Sequence, residues 1–581
     1  MTRAIAWGVL WALAGGFWLL APLIVRTHHL SVEKPLQALP VIGMLCLLFA
    51  FLGAFLGLLI HLAVVVGRRI VRRPGSLSPW GIAFTTGVFL APFYVFAGCL
   101  IYVKRFGMDG AIAWGASALY AALPATLLAA ATLLGVQLVT TGGLRQYRTR
   151  LAAGIATISF LVGATALLVR LPEVAGRSVA AHELEPVQGS PATRTPLLLV
   201  GIDGAAWRPI EPLLAAGRLP TIDSLMRSGS HGDVEALWPP YWSSTAWGSI
   251  ITGLPREENG VYGNLVVKAP GLPAFQAPLD IDPRLILVTA IQYGLAFGQL
   301  IKAAPPERAA LRRPPVWEML HKSGVKTAVV RFNFTYPAGG QADIVISNRV
   351  VADVWDLLGV KNADPAGLAA PDSLRDELMV PFAPGWTPPT DEVARVFPQG
   401  EWPQPEDGHI HPVPLLKRVL SYDQQTVHAV TRILRAHPDI EVLIVHFGGL
   451  DNVQHIFWQY RFPEDFVNKP APADVEALGP VIDRYLEFLD RGIGEMISAF
   501  PSRPNVMIIS DHGMESLEGV PPFRAYHGTP GIFVAAGPGM PLVSAKRKVS
   551  YFDIVPTVLS LEGLVKPKAL KGKDLSGRTA H

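Results

Sequence analysis

The chain has 581 residues, half of them hydrophobic and only 17% charged, with a mean hydropathy of +0.33. That is too apolar for one ordinary soluble domain, so the apolar residues must be concentrated in part of the chain. A net charge of +4 over this length is no nucleic-acid footprint, and the two cysteines, Cys46 and Cys99, leave no cysteine chemistry to the C-terminal two-thirds.

Five apolar runs come first: Ala4–Val25, Leu39–Val66, Trp80–Val103, Ala111–Val139 and Leu151–Val169. Each reaches the ~20 residues that carry a helix across about 30 Å of hydrocarbon. A cleaved leader would explain the first run but not the four that follow. Glycine and proline inside the runs do not argue against membrane helices. The loop after the second run holds Arg68, Arg69, Arg72 and Arg73, and the loop after the fourth holds Arg145, Arg148 and Arg150. The loops after the first and third hold fewer: Arg26 with Lys34, and Lys104 with Arg105. The richer loops are predicted to be cytoplasmic, which places everything after Arg170 outside. Residues 1–170 are therefore predicted to be a transmembrane bundle, and the polar stretch 171–194 a linker.

From residue 195 to the C-terminus the pattern changes. Short apolar runs recur at Leu197–Ile202, Thr327–Val330, Ala342–Ile346, Val442–Val445, Val506–Ile509 and Gly531–Ala536. Their β-branched content and polar or glycine flanks predict buried strands. Helical patterns lie between them, among them Val316–Lys322, Leu415–Arg435 and Val481–Ala499. This alternation predicts an α/β domain with a mostly parallel central sheet and helices on both faces. Segments near 254–315 and 353–411 read as insertions. Within the first, Ile286–Ile301 is apolar but below spanning length, and is either a surface-lying or a core helix.

Acids and histidines return at the ends of these strands, where a parallel sheet forms its ligand sites. Asp203 closes the first strand. Asp511 and His512 follow Val506–Ile509, with Gly513 read as a turn. Asp451 lies just beyond Val442–Val445, and His455 shares its face if that segment is helical. His527 precedes the last strand. Each alone has an ordinary explanation as a cap, turn or solvated residue. Together, three aspartates and three histidines suit zinc or a similar divalent ion, and six donors suffice for two ions. Between them, Ser243, Ser244 and Thr245 follow a proline-rich turn and open a helical pattern. A helix N-terminus suits an attacking oxyanion and a phosphoryl group, and metal coordination is one way to activate a hydroxyl.

The ordered set Gly-Ile-Asp203-Gly, Pro-Pro-Tyr-Trp-Ser243 with Ala-Trp-Gly-Ser-Ile-Ile-Thr-Gly, Asp451-Asn-Val-Gln-His455, Ser-Asp511-His512-Gly-Met and His527 resembles the alkaline phosphatase superfamily. Its closest branch is type I phosphodiesterase/nucleotide pyrophosphatase, and the likeness covers about 195–574. The resemblance implies an alkaline phosphatase-like fold and a two-zinc site. Asp451, His455 and His527 would hold one ion, and Asp203, Asp511 and His512 the other, with Ser243 as nucleophile nearby or bridging. It also implies a threonine nucleophile with a phosphate-binding asparagine three residues on. Here these positions hold Ser243 and Ala246, which weakens the expectation of a nucleotide substrate. Sulfatase activity is not expected, because the formylglycine setting is missing.

The expected activity is that of a membrane-anchored, metal-dependent phosphodiesterase that works through a phospho-serine intermediate on a phosphoester substrate, with a lipid-linked ester among the candidates. Its catalytic domain would be extracytoplasmic, at a bacterial-type inner or plasma membrane. The alternatives are a transferase that moves a phospho-headgroup to a lipid or glycan, and a non-catalytic membrane receptor.

Overall fold

A computed structural model describes Cys46 and residues 195–238, 241–268, 275–277, 302–350, 364–382, 395–396, 412–520 and 523–577. Apart from Cys46, the five predicted membrane runs lie outside the described residues, as do the 171–194 linker, Ile286–Ile301 and most of 353–411. Among those described, no helix is long and apolar enough to cross a membrane. The chain divides into two compact units, and the α/β domain belongs to the one formed by Ala181–Val266 with Ala277–His581.

In chain order the domain's main elements begin with β1 (Leu197–Ile202), α1 (Trp207–Ala215), α2 (Pro220–Ser228), β2 (Gly229–Val234) and α3 (Ser243–Thr252). They continue with α4 (Val316–Lys322), β3 (Thr327–Val330), β4 (Ile344–Ile346), β5 (Ala369–Ala370), α5 (Pro412–Ala436), β6 (Val442–Phe447) and α6 (Gly449–Arg461). The C-terminal part supplies α7 (Pro480–Ala499), β7 (Asn505–Ile509), β8 (Gly513–Val520), β9 (Phe523–Gly528), β10 (Gly531–Ala536), β11 (Val543–Val549) and α8 (Ile554–Leu561).

Nine strands form one sheet in the order β11-β2-β10-β7-β1-β6-β3-β4-β5. The five central strands, β7-β1-β6-β3-β4, run parallel, while β10 and β5 are antiparallel to their inner neighbours. β1 sits in the middle because it is apolar on both faces. Leu198, Val200 and Ile202 pack with Leu420, Leu450 and Leu486 of α5, α6 and α7. Leu197 and Leu199 pack with Trp247, Trp317 and Val555 of α3, α4 and α8. A strand covered on both sides must read as a continuous apolar run, and this one does.

Two features depart from the predicted pattern. β2, with the sequence Gly-Ser-His-Gly-Asp-Val, carries none of the usual strand signals. Its glycines are there because neighbouring backbone comes too close for a side chain: a Cβ would stand 2.1 Å from the Ala535 carbonyl oxygen at Gly229 and 2.3 Å from that of Arg547 at Gly232. The second feature is the two-stranded β8–β9 sheet, in which Met514 pairs with His527. Gly513 begins a strand there, in place of the predicted turn, and His527 lies within a strand rather than in the approach to one. Part of 254–315 is core and no excursion from it, since Leu254, Asn259 and Val261 are fully buried.

Candidate metal and phosphoryl-transfer site

The carboxyl ends of β1, β6 and β7 converge, and each delivers acids. Asp203 continues β1 by donating its N–H to the Phe447 carbonyl at 2.9 Å, so its side chain emerges at the end of the ladder with β6. Asp511 and His512 leave β7 fully buried. α6 starts immediately after β6, and Asp451 and His455, one turn apart, project to the same side. The β8–β9 hairpin brings His527 over them.

All seven predicted residues come together. His455 Nε2 lies 3.3 Å and His527 Nε2 3.7 Å from Asp451 Oδ1, and the two nitrogens are 3.2 Å apart. His512 Nε2 lies 3.2 Å from Asp203 Oδ1 and 3.5 Å from Asp511 Oδ2. Ser243 Oγ donates to Asp203 Oδ1 at 3.2 Å and stands 3.3 Å from His512 Nε2. The His512 and His527 rings stack at 3.9 Å, joining the two halves. Within cation-holding distance the residues group as Asp451, His455 and His527, and as Asp203, Asp451 and His512. The first is the expected triad. The second group holds Asp451 in the third place, while Asp511, expected there, keeps Oδ2 3.5 Å from His512 Nε2 and uses its other oxygen to accept the Gly204 N–H at 3.3 Å.

Three observations fit these residues to a divalent cation. Each histidine sets Nδ1 against a backbone carbonyl: His455 on Ala525 at 2.7 Å, His512 on Gly513 at 2.9 Å and His527 on Tyr241 at 3.0 Å. A carbonyl only accepts, so Nδ1 carries a proton, and Nε2 is the nitrogen each ring turns inward as its ligand atom. Asp451 Oδ1 and Asp511 Oδ2 are buried without a hydrogen-bond partner; His455 and His512 lie near them, but not in hydrogen-bonding geometry. The electrostatics are also divided. Burial, reinforced by the Asp203 charge, pushes the Asp511 carboxyl well above the usual range. Burial likewise opposes the charge on Asp203, yet His446 and His512 hold it well below its ordinary value. Against the pull of burial, Asp511 and Asp203 raise His512 to about 10, while burial and the neighbouring His512 lower His527 to about 3. So much buried negative charge calls for a positive partner, and a cation on the inward donors supplies it.

The pattern of the family type I phosphodiesterase / nucleotide pyrophosphatase matches residues 197–558. The chain belongs to this family. A 164-residue stretch of this family member is 28% identical to 2,3-bisphosphoglycerate-independent phosphoglycerate mutase 2 of Methanosarcina acetivorans, and spans 28% of this chain but only 27% of that protein. Among solved structures it is similar to phosphonoacetate hydrolase from Sinorhizobium meliloti 1021 in complex with phosphonoacetate, with 16% identity, 57% of this chain, 61% of that one and a TM-score of 0.32. It is also similar to a mutant of alkaline phosphatase PafA, with 12% identity, 66% of this chain, 99% of that one and a TM-score of 0.39.

Three residues near the site were not singled out from the sequence. His446, near the end of β6, lies 3.6 Å from Asp203 Oδ2, beyond hydrogen-bonding distance, and its ring packs edge-on against Trp247. Trp247 donates its Nε1–H to that same oxygen at 3.4 Å. Asn264 accepts the Ser244 N–H at 3.0 Å, which brings a side-chain amide to the start of α3. Ala246, at the offset where an asparagine was looked for, is buried in the helix. His446 was legible as a polar residue in an otherwise apolar strand. Asn264 had no signal, because only the folding of 254–264 onto α3 brings it near.

Proposed function

We propose that this chain is a membrane-anchored, metal-dependent phosphodiesterase in which Ser243 is the nucleophile. The observation that carries the reading is Ser243 itself. Its hydroxyl stands at the N-terminus of α3, a helix without a side-chain cap, between Asp203 and His512. The helix dipole and the first-turn N–H groups favour an anionic phosphoryl group there. Asp451, His455 and His527 would hold one divalent ion, and Asp203 and His512, with Asp511 or Asp451, a second; zinc suits this donor set. Bound ions supply charge neutralisation for the phosphoryl oxygens and lower the cost of ionising the attacking and leaving oxygens.

The residues then act in order. Asp203 accepts the Ser243 hydroxyl proton in a hydrogen bond and aims Oγ at phosphorus. The Oγ–P bond forms as the bond from phosphorus to the leaving oxygen breaks; that oxygen keeps the electron pair, takes up the proton that Oγ gives up, and departs as the alcohol. Water attacks the phospho-serine in the second half, breaks the Oγ–P bond and restores the hydroxyl. The substrate is a phosphoric ester, and a lipid-linked one suits a domain tethered to a membrane by the five apolar runs of residues 1–170. On the charge of the loops, the domain lies on the extracytoplasmic side.

The test is a donor screen of the full chain in detergent, with mono- and diester substrates, before and after chelation. Activity on diesters that chelation abolishes and zinc restores is the expected result. Undiminished turnover in the metal-stripped protein would overturn the reading. A modified lipid or glycan acceptor in place of free phosphate ester would replace hydrolysis by transfer.

A further inference from the structure

Gln454 lies on α6 between Asp451 and His455 and is completely buried. Its Nε2 donates to the Gly204 carbonyl at 2.7 Å, joining residues 250 positions apart. That carbonyl only accepts, so the amide's orientation is fixed. The other amide atom, Oε1, is buried without a hydrogen-bond partner. A buried amide left half satisfied costs stability, and an apolar residue of the same length would avoid that cost. Core packing alone therefore does not account for a glutamine here.

Gly204 accounts for it. Its N–H donates to Asp511 Oδ1 at 3.3 Å. Its φ is +71°, and a Cβ on it would stand 3.0 Å from Asp451 Oδ1. One residue thus bonds Asp511 through its N–H and Gln454 through its carbonyl, and a side chain on it would crowd Asp451. It follows Asp203 directly. We propose that the Gln454–Gly204 hydrogen bond is the spacer that sets the distance between the Asp451/His455/His527 group and the Asp203/His512 group, and that Gln454 is a positioning residue for the paired-ion site. This rests on the two-ion reading above. Without the bond, α6 and the β1–α1 turn slide independently, and the groups lose their mutual register.

Zinc titration of the metal-stripped full chain in detergent tests this, with wild type beside Gln454→Met and Gln454→Glu. Methionine keeps the length and apolar contacts but not the donor; glutamate presents an acceptor to an acceptor. Both variants are expected to lose 10–100-fold in affinity for at least one zinc equivalent, the range typical of outer-shell partners. Their kcat should fall while KM changes little, and metal-free melting of the Met variant should stay near wild type. Affinities within twofold of wild type in either folded variant overturn the proposal. So does a collapse of metal-free melting in both, which marks a role in folding. A wild-type chain that takes up no zinc overturns the two-ion reading itself, and the spacer with it.

Discussion

Ser243 and Asp203 share one hydrogen bond, and the chemistry rests on it. Ser243→Ala removes the attacking oxygen but none of the histidine or aspartate donors. Turnover should fall at least about 10³-fold, with metal content unchanged by elemental analysis. Wild-type-like turnover would move the nucleophile to Ser244 or Thr245. A second residue-scale effect concerns stability. Asp343 accepts from the Thr327 N–H at 3.0 Å and from Lys326 and His321 at 2.9 Å each. Burial opposes its charge, but the Thr327, Lys326 and His321 bonds outweigh that and hold the carboxyl below its ordinary value. A depressed folded-state value means that the stabilisation is present above the unfolded value, about pH 3.9. It is lost as the pH falls through the folded one. The group is only part-buried and its Lys326 partner is more than half exposed, so screening limits the effect to about 1 kcal/mol or less. Asp343→Ala should therefore cost that much in urea unfolding at pH 7, and its deficit should shrink as the pH approaches 3.

At the scale of elements, β1 and α3 must fit closely, because one carries Asp203 and the other Ser243. Gly201 is where they touch: a Cβ there would stand 2.9 Å from Trp247 and 3.2 Å from Phe332. Gly201→Val pushes directly on Trp247, whose indole holds Asp203. Overpacking of this kind costs about 1–3 kcal/mol. Urea unfolding should show that loss, and kcat should fall because α3 shifts the Ser243 hydroxyl. Unchanged kcat in the folded variant would show that α3 tolerates the displacement. β1, β3 and β10 and α4 occupy the ranges predicted for them, since fully buried strands and an uninterrupted helix carry their pattern within themselves. β6 and β7 extend slightly beyond their predicted runs, and β4 is shorter than its run. β11 was not read as a strand, because Lys546, Arg547 and Lys548 give it the charged composition of a sheet edge.

For the whole molecule, the six predicted metal-ligating residues are drawn from segments as far apart as Asp203 and His527. A cation held by all of them binds the folded chain far better than the unfolded one. Zinc at 100 times its Kd should then add about 2.7 kcal/mol to stability, and chelation should lower the melting temperature. A melting curve insensitive to chelation would count against a shared metal centre. The apolar runs of residues 1–170 lead to a separate expectation. The full chain should sediment with membranes, resist alkaline carbonate and be released by detergent; recovery in the carbonate supernatant would overturn the anchor.

The sequence by itself determined the α/β class, the central strands and the identities of the acids and histidines that meet. These are local properties: a buried strand must be apolar throughout, and a ligand at its end must be the right residue type whatever its neighbours. Tertiary structure alone decided which donors share a group, that β2 is a strand and that Asn264 reaches α3. It also decided that Gln454 reaches Gly204. Those facts depend on how closely distant backbones approach, and neither periodicity nor composition within a segment encodes that distance.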